Sequence, residues 1–542
     1  MSSIRINRRG LVATGASLFA VSALPARGQG APVAETNSGK IQGLVQDGVK
    51  VFKGVRYGAP TGGANRFQPP RKPQPWAGVK ETVAYGASSP QMAPGPAPSL
   101  TGASGDGQPT GDEDCLFLNL WTPALDGRKR PVMVWLHGGG FTTGSGSSPW
   151  YDGVNLARKQ DVVVVTLNHR LNVVGYCGLG QLGGARFADS GNVGMLDIVQ
   201  ALEWVKDNIA RFGGDPNAVM IFGESGGARK TSLMMGFEPG RGLFHRCAVE
   251  SGSALRMDRA EFATERAEKM MKVLGLTPTD LDKLVATPLP DLVRAGAKIQ
   301  PEMNQFRPVI DGRSLKRHPF DPDAPAMTRD VPMLIGTNRT EAAFGLGFVP
   351  GIENLSDADL MKRVASNVPA GQAASVLAEY KRLYPKAKND ELIYMVQTDR
   401  SYFMDAVIQA SRKADQKGGA GAYVYGFYRH TPVHGGRFHT PHASEIAFVF
   451  DTLAKAESIV GPVTPEAQAL ADKMSTAWAN FARTGKPSAP GLPAWPKYDS
   501  ARRPTMILNY QSKVEDNPRG EQLKIMLALG TQQLNEREPP PF

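Results

Sequence analysis

The stretch AVMIFGESGGARKT, residues 218 to 231, decides the fold. A short apolar run ends at Phe222, and Gly223-Glu224-Ser225-Gly226-Gly227 leads into a helical segment. Two readings compete. The ending Lys230-Thr231 is that of a phosphate-binding loop, but such a loop needs glycine at the positions that Glu224 and Arg229 occupy. A side chain as large as Arg229 would obstruct the approach of a phosphate to the backbone. The other reading, G-x-S-x-G at a strand-to-helix turn, is satisfied in full. Glycines two before and two after Ser225 relieve the clashes of a strained elbow and leave its hydroxyl in the open.

Working outward, short apolar runs recur between helical stretches: VMVWL (132 to 136), VVVVTL (162 to 167), AVE (248 to 250), VPMLIG (331 to 336) and YVYGFY (423 to 428). Continuous apolar strands alternating with amphipathic segments imply an α/β fold, a mostly parallel central sheet with helices on both faces. One helix is explicit. In residues 192 to 212, Leu196, Val199, Leu202, Val205 and Ile209 fall at helical spacing before Gly213-Gly214. Residues 86 to 112, rich in Pro, Gly and Ser, and residues 256 to 330, helical with little strand signal, read as insertions over the C-terminal edge of the strands. Residues 31 to 542 then form a single domain.

Ligands of such sheets bind where strands end, so the residues after each strand carry the chemistry. After VMVWL comes His137-Gly138-Gly139-Gly140, whose glycines free backbone N–H groups to converge on an oxyanion. A serine hydroxyl needs a base, usually a histidine oriented by a carboxylate. Glu341 follows VPMLIG and the loop TNRT, and His442 follows YVYGFY, giving the chain order Ser225, Glu341, His442. Among the eight histidines, His434 and His439 compete with His442 for this role.

Taken together these residues resemble the type B carboxylesterase and cholinesterase family of α/β-hydrolases. FKGVRYGAP, RFQPP and PWAG (within 52 to 78), EDCLFLNLWTP (113 to 123), the run from Gly191 to Ser225, GTNRTEAAF, HASEIAFVF, WANFARTGKP and WPKY carry the resemblance. It implies Ser225 as nucleophile, Glu341 as acid and His442 as base, with the N–H groups of Gly139, Gly140 and Gly226 as the oxyanion hole. It also implies that Glu224 and Glu445 tune the site, while Asp197 reads as structural. The implied activity is hydrolysis of carboxylic esters through an acyl-enzyme, with neither metal nor cofactor. Amide or carbamate hydrolysis by the same triad, and a non-catalytic binding module, remain as alternatives.

Three departures stand out. Cys115 matches a family cysteine that usually pairs upstream, yet SSPQM (88 to 92) offers no partner. The loop from 86 to 112 lacks Trp, Tyr and Phe, which disfavours choline esters. Arg229-Lys230 stands where many relatives have small residues and, with the basic net charge, raises the expectation of esters that bear carboxylates.

Of the 542 residues 41% are apolar, enough for a large core. Residues 1 to 30 are excluded from the fold: Arg5, Arg8 and Arg9 precede LVATGASLFAVSAL, which reads as a cleaved export signal, of twin-arginine type at Arg8-Arg9. A periplasmic or secreted location in a bacterium is expected. No apolar run is long enough to anchor the chain in a membrane. Three cysteines form no disulfide framework. The net charge of +11 includes four arginines of the signal (Arg5, Arg8, Arg9, Arg27), leaving about +7 from Ala31 onward. These basic residues form no dense run, so no nucleic-acid partner is expected.

Overall fold

The computed structural model describes residues 30 to 95 and 107 to 534. Its central sheet has eleven strands: β1 (Leu44–Gln46), β2 (Val49–Arg56), β3 (Phe117–Thr122), β4 (Arg130–Leu136), β5 (Val163–Leu167), β6 (Gly214–Glu224), β7 (Arg246–Glu250), β8 (Met333–Asn338), β9 (Ala422–Phe427), β10 (Pro504–Leu508) and β11 (Lys513–Asp516). They lie in the order β1-β2-β3-β5-β4-β6-β7-β8-β9-β10-β11. From β5 to β10 every adjacent pair is parallel. The edges are antiparallel, so the parallel expectation holds for the middle of the sheet. At one edge Asp47 and Gly48, both at positive φ, make the tight turn that joins β1 to β2.

Among the helices, α1 (Val193–Asn208), α2 (Gly226–Met234), α3 (Leu289–Met303) and α4 (Pro465–Thr484) bear on the site. Alternation along β4 sends Val132, Val134 and Leu136 into one core and Met133 and Trp135 into the other. The first core is closed by Ile198, Leu202 and Val205 of α1, the second by Leu470, Met474 and Trp478 of α4. The helix expected at 192 to 212 tightens into a 3-10 turn after Asn208 and stops at Gly213, whose φ of 75° is left-handed.

One aromatic cluster pins the strands that carry the site. Trp135 of β4 and Phe222 of β6 are register partners, 4.9 Å apart edge to face, and Phe450 lies 5.0 Å from Trp135. Such ring pairs contribute about 0.5–1.5 kcal/mol each beyond the area they bury. Trp135 lies two residues before His137, Phe222 three before Ser225, and Phe450 eight after His442. The cluster thus fixes three chain segments relative to each other from below.

The region from 256 to 330 is mainly helical, as expected, with Ala260–Val273, Leu281–Ala286 and α3. A second helical insertion, which a search for strands does not reveal, comprises Asp357–Ala365, Ala373–Leu383, Asn389–Thr398 and Met404–Ala414. It has its own buried cluster, including Leu360, Val376, Tyr380 and Leu392. In the loop from 86 to 112, Gln91–Met92 pairs with Pro109–Thr110. Residues 96 to 106 of that loop, and all but the last residue of the expected export signal, lie outside the described residues. Cys115, Cys177 and Cys247 are buried and free, so Cys115 has no disulfide. No helix among the described residues is long and apolar enough to cross a membrane.

Candidate active site

The strands β4 to β7 lie in the order β5-β4-β6-β7, so the connections that leave the adjacent strands β4 and β6 run in opposite directions. Crevices open at such reversals, and the ends of β4 and β6 meet at this one. Ser225 sits between β6 and α2 with φ 56° and ψ −120°, a conformation that only an over-determined turn maintains. Its N–H donates to the Glu250 carbonyl at 2.8 Å. Two flanking glycines are needed for contact with β4. A Cβ on Gly223 would lie 2.4 Å from the Leu136 carbonyl oxygen, and one on Gly227 only 1.8 Å from it. Ser225 stays half-buried while the residues beside it are buried.

Past β4, Gly139 and Gly140 adopt positive φ, 85° and 61°. Gly226 packs against them so tightly that a Cβ there would lie 2.2 Å from the Gly140 oxygen. The N–H groups of all three glycines have no partner among the described residues, which suits them to receive an oxyanion. The loop is braced from several sides. Thr142 and Thr143 N–H groups donate to the Gly139 carbonyl at 3.2 and 3.0 Å, and Phe141 N–H donates to Gln305 Oε1 at 2.9 Å. Lys230 Nζ donates to the carbonyls of His137 (3.2 Å) and Gly140 (2.8 Å).

That placement bears on the expectation drawn from Arg229-Lys230. Lys230 is fully buried beneath the glycine loop, facing neither solvent nor an ester, and among the described residues it has no carboxylate partner. Burial pushes its pKa down to about 7. Arg229 lies near Tyr402, Arg307 and Asp405 rather than on the cavity wall.

Glu341 and His442 come from the loops after β8 and β9. His442 Nδ1 is 2.6 Å from Glu341 Oε2, while Glu341 Oε1 accepts the Asn338 N–H at 2.6 Å. His442 Nε2 lies 3.0 Å from Glu224 Oε1, close but without the alignment of a hydrogen bond. Burial alone would lower the pKa of His442. Its neighbours Glu224, Tyr402 and Glu341 more than offset this and hold it well above the ordinary value. Glu445, pushed up to about 8 by burial and by Glu224 and Glu341, accepts from Asn338 Nδ2 at 2.6 Å and from Ser251 at 3.3 Å. Glu250, raised by burial and by Glu445, accepts from Trp478 Nε1 at 2.7 Å.

Ser225, Glu341, His442, Gly139 and Gly140 line one cavity of about 400 Å³, together with Gln305, Phe344 and Tyr402. The competing histidines are elsewhere. His434 packs on Phe348 and Phe438, and His439 on His430 and Tyr394. Asp197 is structural as expected, receiving Arg170 through its backbone N–H and guanidinium at 2.7–2.9 Å. Sequence reasoning missed Gln305 and Tyr402, which lie in helical insertions and belong to no motif.

The profile of the carboxylesterase family matches residues 30–526. The chain is 33% identical over 498 residues to a para-nitrobenzyl esterase of Bacillus subtilis, covering 90% of this chain and 97% of that protein. It is also 33% identical to a phenmedipham hydrolase of Pseudarthrobacter oxydans over 486 residues, 86% of this chain and 93% of that one. Among solved structures, the carboxylesterase EST55 of Geobacillus stearothermophilus superposes with a TM-score of 0.78 at 37% identity, covering 91% of this chain and 99% of that one.

Proposed function

The chain belongs to the carboxylesterase family, and from that premise we propose that it hydrolyses carboxylic esters with Ser225 as nucleophile, His442 as general base and Glu341 as the carboxylate that orients it. The observation that carries this reading is the Glu341–His442 contact of 2.6 Å on the same cavity as the Ser225 elbow and the glycine loop. The reaction would begin when Nε2 turns from Glu224 to the Ser225 hydroxyl and takes its proton as Oγ bonds to the ester carbon. The carbonyl oxygen becomes an oxyanion facing the N–H groups of Gly139, Gly140 and Gly226. Collapse breaks the bond to the alcohol oxygen, which takes the proton from Nε2. Water then enters, gives a proton to Nε2 and releases the acid, restoring Ser225.

Ser225→Ala should lower kcat about 10³–10⁶-fold while leaving the fold intact. Hydrolysis of a short p-nitrophenyl ester and labelling by a fluorophosphonate both check this. Near-normal turnover by the folded variant refutes the assignment, and a wild-type protein that neither turns over nor labels is instead a binding module. Among the described residues the cavity lining includes no Lys or Arg, which supports neutral esters over carboxylated ones. Matched neutral and carboxylated esters decide that point, and matched amides and carbamates set the range of the leaving group. The Arg8-Arg9 segment supports export as a further proposal, tested by whether Arg8→Lys/Arg9→Lys retains the protein inside the cell.

A further inference from the structure

The Gln305 side chain is almost entirely buried, 2% exposed, yet one of its two polar atoms has no hydrogen-bond partner. Oε1 accepts the Phe141 N–H, and only the oxygen end of an amide can meet an N–H donor, so the orientation of the amide follows. Nε2 is consequently the other end. It is buried, has no partner within the protein, and belongs to a side chain that lines the cavity with Ser225 and His442. It lies beside the glycine loop, 3.5 Å from the point that a Cβ on Gly140 would occupy.

This position is built rather than incidental. Asn304, just past α3, has φ 61° and ψ −179°, a backbone conformation in which a residue other than glycine is strained. Asn304 Oδ1 accepts the Gln305 N–H at 2.7 Å, and Arg266 Nε donates to the Met303 carbonyl at 2.9 Å, so the backbone on both sides of the strained residue is tied down. A strained, anchored segment therefore carries one amide whose oxygen braces the oxyanion loop and whose nitrogen is left for something in the cavity.

We propose that Gln305 is a specificity-determining residue: its Nε2 donates to an acceptor oxygen on the substrate near the scissile carbonyl, selecting esters that carry an ether, hydroxyl or second ester oxygen over plain alkyl esters. The inference rests on the reading of Ser225 as the nucleophile. In the free enzyme this buried donor is unmet; a substrate oxygen placed against it supplies the missing bond, whereas a methylene in the same place supplies none.

The test compares esters that differ by one exchange of CH₂ for O. On the acyl side these are p-nitrophenyl butanoate and methoxyacetate; on the alcohol side, butyl and 2-methoxyethyl esters of one acid. Each pair is measured with wild type, Gln305→Leu and Gln305→Glu, and the readout is the oxygen-to-methylene ratio of kcat/KM. Because intrinsic reactivity is common to all three proteins, it cancels when ratios are compared. Loss of the brace on Phe141 slows both esters of a pair and leaves their ratio unchanged. Loss of the donor lowers the ratio.

The wild-type ratio for one pair should exceed that of Gln305→Leu by about 5–20-fold. Gln305→Glu keeps the shape and an acceptor for Phe141 while losing the donor when ionised, so it should show the same fall even if the leucine variant folds poorly. Equal ratios in wild type and the folded variants for both pairs overturn the proposal. Ser225→Ala is measured alongside. Persistent turnover there brings down the serine mechanism, whereas Ser225-dependent turnover with unchanged ratios brings down only the role of Gln305.

Discussion

On one side of Ser225 lie four buried carboxyl groups: Glu224 and Glu341 against His442, with Glu445 and Glu250 next to these. On the other are the buried Lys230, His137 and His169, and among the described residues none of the three has a carboxylate in hydrogen-bonding contact. His137 and His169 stack 4.9 Å apart. Burial and the neighbouring Lys230 hold both neutral, His137 being pushed down to about 3. The chemistry explains the contrast. At the transition state of acyl transfer an imidazolium and an oxyanion are present together, and bulk water would have to reorganise around both. A wall led by Glu224 and Glu341 against the ring favours the first, and a wall of N–H groups above a lysine favours the second. Each is set before the substrate arrives.

The sharpest way to break the second wall is to push its backbone apart without altering any charge. Gly226→Ala places a methyl 2.2 Å from the Gly140 oxygen and 2.5 Å from its nitrogen, so the two loops must separate. Since a single donor of an oxyanion hole is worth about 10²–10³ in kcat, a loss of at least that size is expected, with a smaller change in KM. Retention of more than a third of wild-type kcat would show that the three N–H groups do not act together.

The sequence made most of the first wall and the glycines of the second legible, but not the lysine beneath those glycines. Ser225, Glu341 and His442 could be named because the proposed triad requires particular residue types, and the strand-loop pattern orders them along the chain. Lys230 could not. On a helix following an exposed elbow, a lysine reads as solvated, and only the packing of α2 beneath His137 and Gly140 shows that its ammonium is enclosed. Gln305 and Tyr402 were hidden for a related reason. They reach the cavity from helical insertions whose position over the sheet is set by tertiary packing rather than periodicity. The insertion between 343 and 414 has clear apolar spacing of its own, but spacing tells that a helix exists and not where it docks.

Lys230→Met tests what the buried cation contributes. Two carbonyls of the glycine loop lose their donor, so kcat should fall about tenfold, equivalent to about 1.4 kcal/mol in the barrier. Stability should change with pH in a definite direction. An unfolded lysine titrates near 10.5 and the folded one near 7, so between these values the unfolded chain holds more protons and wild type gains stability as pH rises. The full disadvantage of burying the ammonium applies below about pH 7. The methionine variant escapes it, and the Tm difference, variant minus wild type, should be more positive at pH 6 than at pH 9. A difference independent of pH would mean that Lys230 is solvated in solution.

Glu224→Gln acts on the first wall and should have the smallest effect. His442 Nε2 lies 3.0 Å from this carboxylate, and the pKa of His442 is raised despite its burial. In the proposed mechanism catalysis requires the neutral imidazole, so the rate should fall as pH drops through the folded-state pKa, with the acid limb of wild type expected above 6.5. Removing one of the two carboxylates that touch the ring lowers the pKa, and the limb of kcat/KM should move down by about one unit while the plateau changes by no more than about threefold. The linked stability change has the opposite sense to that of Lys230. A raised histidine pKa stabilises the fold fully below the unfolded value of about 6.5 and loses this as pH rises through the folded value, so the variant should be destabilised at pH 5.5 more than at pH 9. If neither the limb nor the stability moves, the Glu224–His442 contact does not persist in solution, and Nε2 is already turned toward Ser225 before substrate binds.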